Sequence, residues 1–328
     1  VYKRQSWRSA IPTSSSTLSS PDPSMLRDYI EAARLRTLPL ASACVLTGGA
    51  MAAATSPPTG DRFPTLFAGC LLTVILLQIL ANFANDLGDF ENGADRAEGK
   101  ERSDRAVASG RISATGMRKA VYFTGGLAFV TGLATALSAA GDNALELLMW
   151  TGIGAISIGA AYAYTAGSRP YGYSGLGDIG VLVFFGAAGV AGTATLISGE
   201  FDVLWLLPSA TIGLLSVSVL NLNNLRDHLS DATTGKHTLV VRMGFSKGKV
   251  YHAALLIGAW LALLAFWRLD PAGPWHGQLW YGLFGLVHAR HLLFVLKTEN
   301  PAELDGELKK MALSTFSISL FLFLSATA

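Results

Sequence analysis

The sequence predicts an all-α integral membrane protein, folded as a bundle of nine transmembrane helices. Three observations predict this fold class. Hydrophobic residues make up 51% of the 328-residue chain, whereas charged residues make up only 15%. Apolar runs of about 20 residues, the length that crosses a bilayer as an α-helix, recur along the whole chain. Lys and Arg concentrate in alternate loops, as they do on the cytoplasmic side of membrane proteins. This composition excludes an ordinary soluble domain.

The predicted spans are apolar runs that alternate with polar or basic segments. In chain order they lie near 37–55, 64–84, 119–138, 144–165, 177–198, 203–222, 250–269, 278–297 and 311–327. In front of them, residues 1–24 are rich in Ser and Pro, so we expect a disordered tail followed by a transmembrane domain at 25–328. The tail is also poor in acidic residues, which equally fits an organelle transit peptide.

The distribution of basic residues predicts which side of the membrane each loop occupies. All but two of the 25 Lys and Arg residues fall in segments on one predicted side of the membrane. They occupy the segment up to Arg36, Arg169 and the loops 96–119, 226–249 and 290–310, and the exceptions are Arg62 and Arg268. We therefore expect an integral protein of a bacterial inner membrane that is in contact with membrane lipid and has its N-terminus in the cytoplasm. The net charge of +2 and the absence of a nucleic-acid motif indicate no nucleic-acid partner.

Two clusters of Asp and Asn side chains lie at the cytoplasmic ends of apolar spans. The first contains Asn82, Asn85, Asp86 and Asp89, and the second contains Asn221, Asn224, Asp227 and Asp231. Each cluster falls on one side of a helix. A charge at the bilayer centre costs roughly 3 kcal/mol, so these carboxylates should line a wet central cavity that opens to the cytoplasm. Paired carboxylates can hold Mg²⁺, which commonly bridges them to phosphates, so diphosphate recognition is the leading hypothesis.

Basic side chains beside the clusters fit the same hypothesis, because a diphosphate carries more negative charge than bound magnesium neutralises. Arg105, Arg226 and Lys236 lie in the loops that follow the clusters and could contact phosphate oxygens. The alternative is that they only follow the cytoplasmic bias of basic residues. Arg226 and Lys236 are embedded in the second cluster, which favours a function for them, whereas for Arg105 both interpretations stay open.

Longer motifs resemble a known family. Asn85-Asp86-x-x-Asp89 with Asp95, and Asn223-Asn224-x-x-Asp227-x-x-x-Asp231-x-x-x-Gly235-Lys236, resemble the two signatures of UbiA-type intramembrane prenyltransferases. Three further segments resemble the branch of that family that acts on 1,4-dihydroxy-2-naphthoate. They are Arg169-Pro-Tyr-Gly-Tyr-Ser-Gly-Leu-Gly-Asp178, Phe184-Phe-Gly186 and Val240-Val-Arg-Met-Gly244. The resemblance implies transfer of a polyprenyl chain from polyprenyl diphosphate to the naphthoate, with loss of its carboxylate and with two Mg²⁺ ions as cofactors.

The resemblance also assigns roles to individual residues. Asp86 and Asp89 are expected to hold one ion, and Asp227 and Asp231 the other. The amides of Asn82, Asn85 and Asn224 are expected to bind substrate or metal. The aromatic faces of Tyr162 and Tyr164 could stabilise an allylic cation. Arg169 could pair with the carboxylate of the acceptor or could cap its loop, and Asp178 could belong to the site or could cap the helix that follows it.

Alternatives to this function remain at the level of sequence. Within the enzyme class, the acceptor could be another aromatic acid, such as 4-hydroxybenzoate or homogentisate. In another class, an ion or small-molecule transporter also carries acidic residues in its helices. Both acidic clusters lie on one predicted side of the membrane and do not trace a route across it, which favours the enzyme. His288 and His291, three residues apart in an apolar span, are interpreted as packing residues.

Overall fold

The computed structural model describes residues 23–55, 62–96, 105–275 and 279–328. Every regular element in this part of the chain is a helix. The predicted N-terminal tail lies outside the described residues, except that its last two residues begin the amphipathic helix α1 (Pro23–Ala32). A short 3₁₀ turn at Leu35–Thr37 joins α1 to the first long helix.

The remaining α-helices, most of them long, follow the order of the predicted spans. They are α2 (Leu38–Thr55), α3 (Arg62–Glu91), α4 (Ala114–Ala140), α5 (Ala144–Ala163), α6 (Gly177–Val181), α7 (Gly192–Ser198), α8 (Leu206–Thr233), α9 (Leu239–Met243), α10 (Phe245–Leu269), α11 (Trp280–Lys297) and α12 (Asp305–Thr327). A π-helix at Leu182–Ala191 joins α6 to α7, so that 177–198 forms one continuous rod. The short helix α9 follows the loop after α8.

Eight helical segments of the described chain are long and apolar enough to cross a membrane. The predicted count of nine is not reached by this criterion, because α11 does not meet it. His288, Arg290 and His291 dilute the apolar character of α11 in its middle turns. His288 and His291 are nevertheless buried between helices, where His288 bonds to Trp260 and Ser314 and His291 bonds to His252 and Glu307. The two histidines of α11 are therefore turned towards the protein, whereas Arg290 is exposed.

Small residues let several helices approach one another closely, as is common inside membranes. A Cβ at Gly186 of the π-helix would lie 2.7 Å from the carbonyl oxygen of Ser209 on α8. A Cβ at Gly88 on α3 would lie 2.4 Å from the carbonyl oxygen of Thr165, just after α5. The second contact presses the end of α3, with its acidic motif, against the loop 164–176.

The basic loops predicted to share one side of the membrane meet at one end of the bundle. Lys236, after α8, pairs with Asp89 on α3. Arg226 on α8 pairs with Asp305 at the start of α12. At the opposite end, the Arg62 guanidinium donates to the carbonyl oxygen of Ala139. The two acidic motifs therefore lie at the same end of the protein, as predicted.

Candidate active site

Asp89 is the point at which three segments of the chain meet. Its side chain is fully buried, and its carboxylate pairs with the Arg105 guanidinium at 2.8 Å and with Lys236 Nζ at 2.7 Å. The Tyr173 hydroxyl donates to the same carboxylate at 2.5 Å. Asp89 belongs to the first motif, Lys236 to the second and Tyr173 to the loop 164–176. The structure thus joins both motifs around one carboxylate.

Tyr173 is a site residue that the sequence motifs did not single out. Besides its bond to Asp89, its ring lies 4.7 Å from Lys236 Nζ in a cation–π contact. Its carbonyl oxygen accepts from the backbone N–H of His237, which fixes the loop after α8. Burial and the neighbouring charge of Asp89 raise the pKa of Tyr173, so its phenol keeps its proton and acts as a donor at neutral pH.

Asp86 and Asn85, the other members of the first motif, organise the segment that begins at Arg105. The Asp86 carboxylate is buried and accepts from the backbone N–H groups of Ala106 and Val107, at 3.0 and 3.5 Å. The Asn85 carbonyl oxygen accepts from Arg105 Nη1 at 2.8 Å, while Arg105 Nη2 binds Asp89. The fork of Arg105 therefore bridges the two motif residues, which a single ammonium group could not do in the same way.

The residues of the second motif differ in burial and in their position around helix α8. Asn224 and Asp231 are buried, whereas the Asp227 side chain is 15% exposed and binds Arg226 at 2.8 Å. Because α8 turns 100° per residue, Asp227 lies about 120° from Asn221 around the helix, at the edge of the predicted face. Arg226 also binds Asp305 at 2.6 Å, so it is already held by two carboxylates.

Tyr164 follows the end of α5, next to Thr165, whose carbonyl oxygen lies against Gly88 of the first motif. Burial raises the pKa of its phenol, and the negative charges of Asp178, Asp89 and Asp231 raise it further. Its ring meets that of Tyr171 edge to face, with centroids 5.3 Å apart. The predicted aromatic residue is therefore next to the acidic centre and carries a proton at neutral pH.

Tyr162 and Arg169 lie in different surroundings from Tyr164. Tyr162 packs against the apolar cluster that includes Phe83 and Leu80. Arg169 is exposed, and no hydrogen bond or ion pair of its side chain is found among the described residues. Its guanidinium is therefore available to an anion, in line with the first of its two predicted roles.

Asn82 holds the connection between α1 and α2. Its amide nitrogen donates to the carbonyl oxygen of Ala33 at 2.8 Å and to Thr37 Oγ1 at 2.9 Å. Between those two partners, Arg34 adopts a left-handed backbone conformation (φ 49°, ψ 59°), the only such non-glycine residue in the described part of the chain. Non-glycine residues in this region are strained by about 1–3 kcal/mol and need support from their surroundings. Asn82 supplies that support.

We expect Asn82→Ala to lower the free energy of unfolding by about 2 kcal/mol, because the buried Ala33 carbonyl loses its donor. Thermal unfolding in detergent measures this loss. Gln78→Ala is the matched control, since it removes only the 3.4 Å bond from Gln78 to Asn82. Equal midpoints for Asn82→Ala and the control would contradict the supporting role of Asn82.

Sequence comparison assigns the chain to a family. The profile of the UbiA prenyltransferase family matches residues 41–314. The chain belongs to the UbiA prenyltransferase family. It is 41% identical over 295 residues to the 1,4-dihydroxy-2-naphthoate octaprenyltransferase of Haemophilus influenzae, which covers 90% of this chain and 94% of that protein. It is 37% identical over 307 residues to the Escherichia coli protein of the same name, covering 92% and 96% of the two chains.

Solved structures share the fold of this UbiA-family chain. A UbiA homologue from Archaeoglobus fulgidus, solved with GPP and Mg²⁺, aligns with a TM-score of 0.60 and 13% identity, over 92% of this chain and 99% of that one. A digeranylgeranylglyceryl phosphate synthase aligns with a TM-score of 0.57 and 18% identity, over 92% and 99%. At these identities the likeness shows the fold alone.

Metal ligands are not gathered into one group in the described part of this UbiA-family chain. No three His, Cys, Asp or Glu side chains converge there as a metal-ligand set. The donor chemistry nevertheless fits Mg²⁺, which prefers oxygen ligands, because the buried carboxylates of Asp86, Asp89 and Asp231 lie at one end of the bundle. The fully buried Asn221 amide also has both polar atoms without a hydrogen-bond partner, one turn from Asn224.

The central cavity that opens to the cytoplasm stays a prediction. Two pockets in the described residues lie away from the motifs: a small one between α3, α4 and α5 near Thr73, and one of about 600 Å³ near Leu293 and Glu303. The two motifs are bridged by the side chains of Lys236 and Tyr173.

Proposed function

We propose that this protein transfers a polyprenyl chain from polyprenyl diphosphate to 1,4-dihydroxy-2-naphthoate, with loss of CO₂, and thereby makes demethylmenaquinol, the reduced form of demethylmenaquinone. The observation that carries the proposal is the junction at Asp89, where this carboxylate of the first motif pairs with Lys236 of the second motif and with Arg105. The similarity to proteins named 1,4-dihydroxy-2-naphthoate octaprenyltransferase, over most of both chains, supports the choice of substrates.

The side-chain cations provide the recognition of diphosphate in this proposal. Arg105 and Lys236 pair with Asp89, and each carries donors that phosphate oxygens accept well. When a diphosphate enters, these two side chains transfer from the carboxylate to the phosphate oxygens. The exchange keeps charges paired throughout and leaves the Asp89 oxygens available for a metal.

Two Mg²⁺ ions complete the proposed site. Asp86 and Asp89 would hold one ion and Asp227 and Asp231 the other, with Asn85 and Asn224 contributing amide contacts, whereas the amide nitrogen of Asn82, which was predicted to join them, is bound to Ala33 and Thr37. Bound magnesium neutralises charge on the leaving diphosphate. The chain itself must hold the allylic chain and the acceptor close together and exclude water. Tyr164, next to the first motif through Thr165, would face the cation that forms.

The membrane topology that we propose has nine crossings and a cytoplasmic active site. Helix α11 packs antiparallel to α10 along its length, since Lys249 bonds to the carbonyl oxygen of Thr298 and the rings of Trp267 and Tyr281 lie 4.3 Å apart. A helix that accompanies a membrane span in this way crosses with it. The basic loops around the motifs then face the cytoplasm.

The function is tested by incubating membranes that contain the protein with a polyprenyl diphosphate, Mg²⁺ and one aromatic acid at a time. We expect a prenylated naphthalene product and released CO₂ with 1,4-dihydroxy-2-naphthoate. Product from 4-hydroxybenzoate or homogentisate alone would overturn the proposed acceptor. No product with any acid would overturn the proposed activity.

Replacing Arg169 with Ala should raise the KM for the naphthoate about tenfold and leave the KM for prenyl diphosphate nearly unchanged. Arg169 is exposed and holds no partner among the described residues, so its loss removes an anion contact without disturbing the fold. Steady-state kinetics with each substrate varied in turn separates the two constants. A larger rise in the KM for prenyl diphosphate would refute this role.

A further inference from the structure

Asp178 is a buried carboxylate that the proposed site leaves unused. It lies in the first turn of α6, is 6% exposed and accepts a hydrogen bond from the Tyr251 hydroxyl on α10 at 3.1 Å. Its own backbone N–H also supports the carboxylate. A buried carboxylate within a membrane bundle is unfavourable unless it is well paired, and it commonly marks a functional site.

The partners of Asp178 differ from those of the neighbouring carboxylates. Asp89 binds Arg105 and Lys236, and Asp227 binds Arg226. In the part of the chain that the structure describes, no Lys or Arg forms an ion pair with Asp178. Its donors are neutral, so it keeps the capacity to accept a hydrogen bond or a proton from a ligand.

Tyrosine rings surround this carboxylate. The Tyr164 hydroxyl approaches the preceding residue so closely that a Cβ at Gly177 would lie 3.0 Å from it. Tyr164 meets Tyr171 edge to face, and Tyr251 closes the group from α10. Flat aromatic faces beside a hydrogen-bond acceptor suit a planar hydroxyarene, which can stack through its ring and donate through its hydroxyl.

The same tyrosine connects Asp178 to the first acidic motif. The Tyr164 hydroxyl lies against Gly177. The residue after Tyr164, Thr165, packs against Gly88 of the first motif, and the Tyr173 hydroxyl of the same loop donates to Asp89. A ring held at Asp178 would therefore lie next to the residues that bind the diphosphate. This is the juxtaposition that attack of a ring carbon on an allylic carbon requires.

We propose that Asp178 is the catalytic base for the aromatic acceptor, with Tyr251 as the positioning residue that orients its carboxylate. The inference rests on the proposed function and names the residue that activates the ring. Asp178 accepts the proton of the hydroxyl group next to the carboxylate of the naphthoate. Its role as a helix cap is secondary, since no side-chain cap bond is found at the start of α6.

The reaction balances with one proton held on Asp178. As the ring carbon that bears the carboxylate bonds to the allylic carbon, the hydroxyl proton passes to Asp178 and the O–H electron pair forms a carbonyl group. The C–O bond to the diphosphate breaks, and its electron pair leaves with the diphosphate. The β-keto carboxylate then loses CO₂, the electron pair of the broken bond forms an enolate, and Asp178 returns the proton to the enolate oxygen.

The test uses the full chain in detergent, with Asp178→Asn and Tyr251→Phe compared with wild type. At neutral pH, Asp178→Asn should lower kcat about 100-fold to 1,000-fold, the usual contribution of a general base. The kcat of Asp178→Asn should rise about tenfold for each unit that the pH is raised, because in this variant only an acceptor that has already lost its hydroxyl proton reacts. Wild type should lack this slope, and Tyr251→Phe should lose about tenfold. The control Tyr281→Phe removes a buried hydroxyl with no hydrogen-bond partner among the described residues and should change neither quantity.

Several outcomes would overturn the role of Asp178. A kcat for Asp178→Asn close to wild type would do so, and so would a loss of rate without the pH slope, which indicates a structural role. If Asp178→Asn does not assemble, an unchanged kcat in Tyr251→Phe overturns the proposal and a tenfold loss supports it. Binding of prenyl diphosphate in Mg²⁺ should survive in both variants. Failure of the wild type itself to prenylate the naphthoate would overturn the proposed function separately. The two variants are then compared with wild type on the hydroxyarene that wild type does prenylate.

Discussion

Replacing Asp89 with Asn is expected to lower the rate of prenyl transfer about a thousandfold while leaving an assembled membrane protein. Asn keeps the shape of the side chain and can still accept from the Tyr173 hydroxyl. It cannot neutralise Arg105 and Lys236, which both pair with Asp89, and it is a poor magnesium ligand. A metal-linked contribution of about 4 kcal/mol corresponds to this factor.

The measurement is the rate of transfer at saturating prenyl diphosphate over a range of Mg²⁺ concentrations. Asp142→Asn is the matched control, since Asp142 is exposed in the turn between α4 and α5 at the other end of the bundle. Size-exclusion chromatography in detergent establishes that both variants assemble. Activity of Asp89→Asn within tenfold of the control would contradict the central role of Asp89.

Asp86→Ala and Asp227→Ala should also abolish magnesium-dependent turnover. Their structural consequences should differ. Asp86 accepts from the backbone N–H groups of Ala106 and Val107, so its loss should loosen the segment after Arg105. Asp227 is paired with Arg226 at the edge of the site, and Arg226 keeps its bond to Asp305 when Asp227 is lost. Retained activity in either variant would remove the two-ion scheme.

The membrane-spanning helices could be predicted from the sequence because their apolar runs have the length that a bilayer requires. The apolar character of the sequence identifies α11 less well than the other helices. Its histidines lower its apolar character, yet they bond to side chains of neighbouring helices, which no window of sequence can show. The distribution of basic residues also placed the two acidic motifs at one end of the bundle, and the contact between Lys236 and Asp89 agrees with that placement.

Individual contacts within the site could be predicted less well. Tyr173 reaches Asp89 only because the loop 164–176 folds over the end of α3, and nothing in its local sequence indicates that fold. Asn82 lies on the same side of α3 as the carboxylates, but its amide binds Ala33 and Thr37 in the preceding connection. Residues on one side of a helix point in similar directions, but this does not determine which residues their side chains contact. Such partners depend on tertiary packing.

Arg105 and Lys236 both bind Asp89, but replacing each of them separately with the other basic residue should have unequal effects. Arg105→Lys should lower kcat/KM for prenyl diphosphate about 10-fold to 100-fold, because a single ammonium group cannot bridge Asn85 and Asp89 at 2.8 Å each. Lys236→Arg should cost about threefold at most, since a guanidinium can also pair with Asp89 and stack on the Tyr173 ring.

Steady-state kinetics with prenyl diphosphate varied at saturating acceptor measures both effects. Lys119→Arg is the control for the exchange of basic side chains. Lys119 is exposed on α4 and makes no contact with Asp89 among the described residues. Equal losses in the two exchanged variants would show that only the positive charge matters. Unequal losses in the expected order would mean that the fork of Arg105 sets the position of the diphosphate, while Lys236 supplies charge from the second motif.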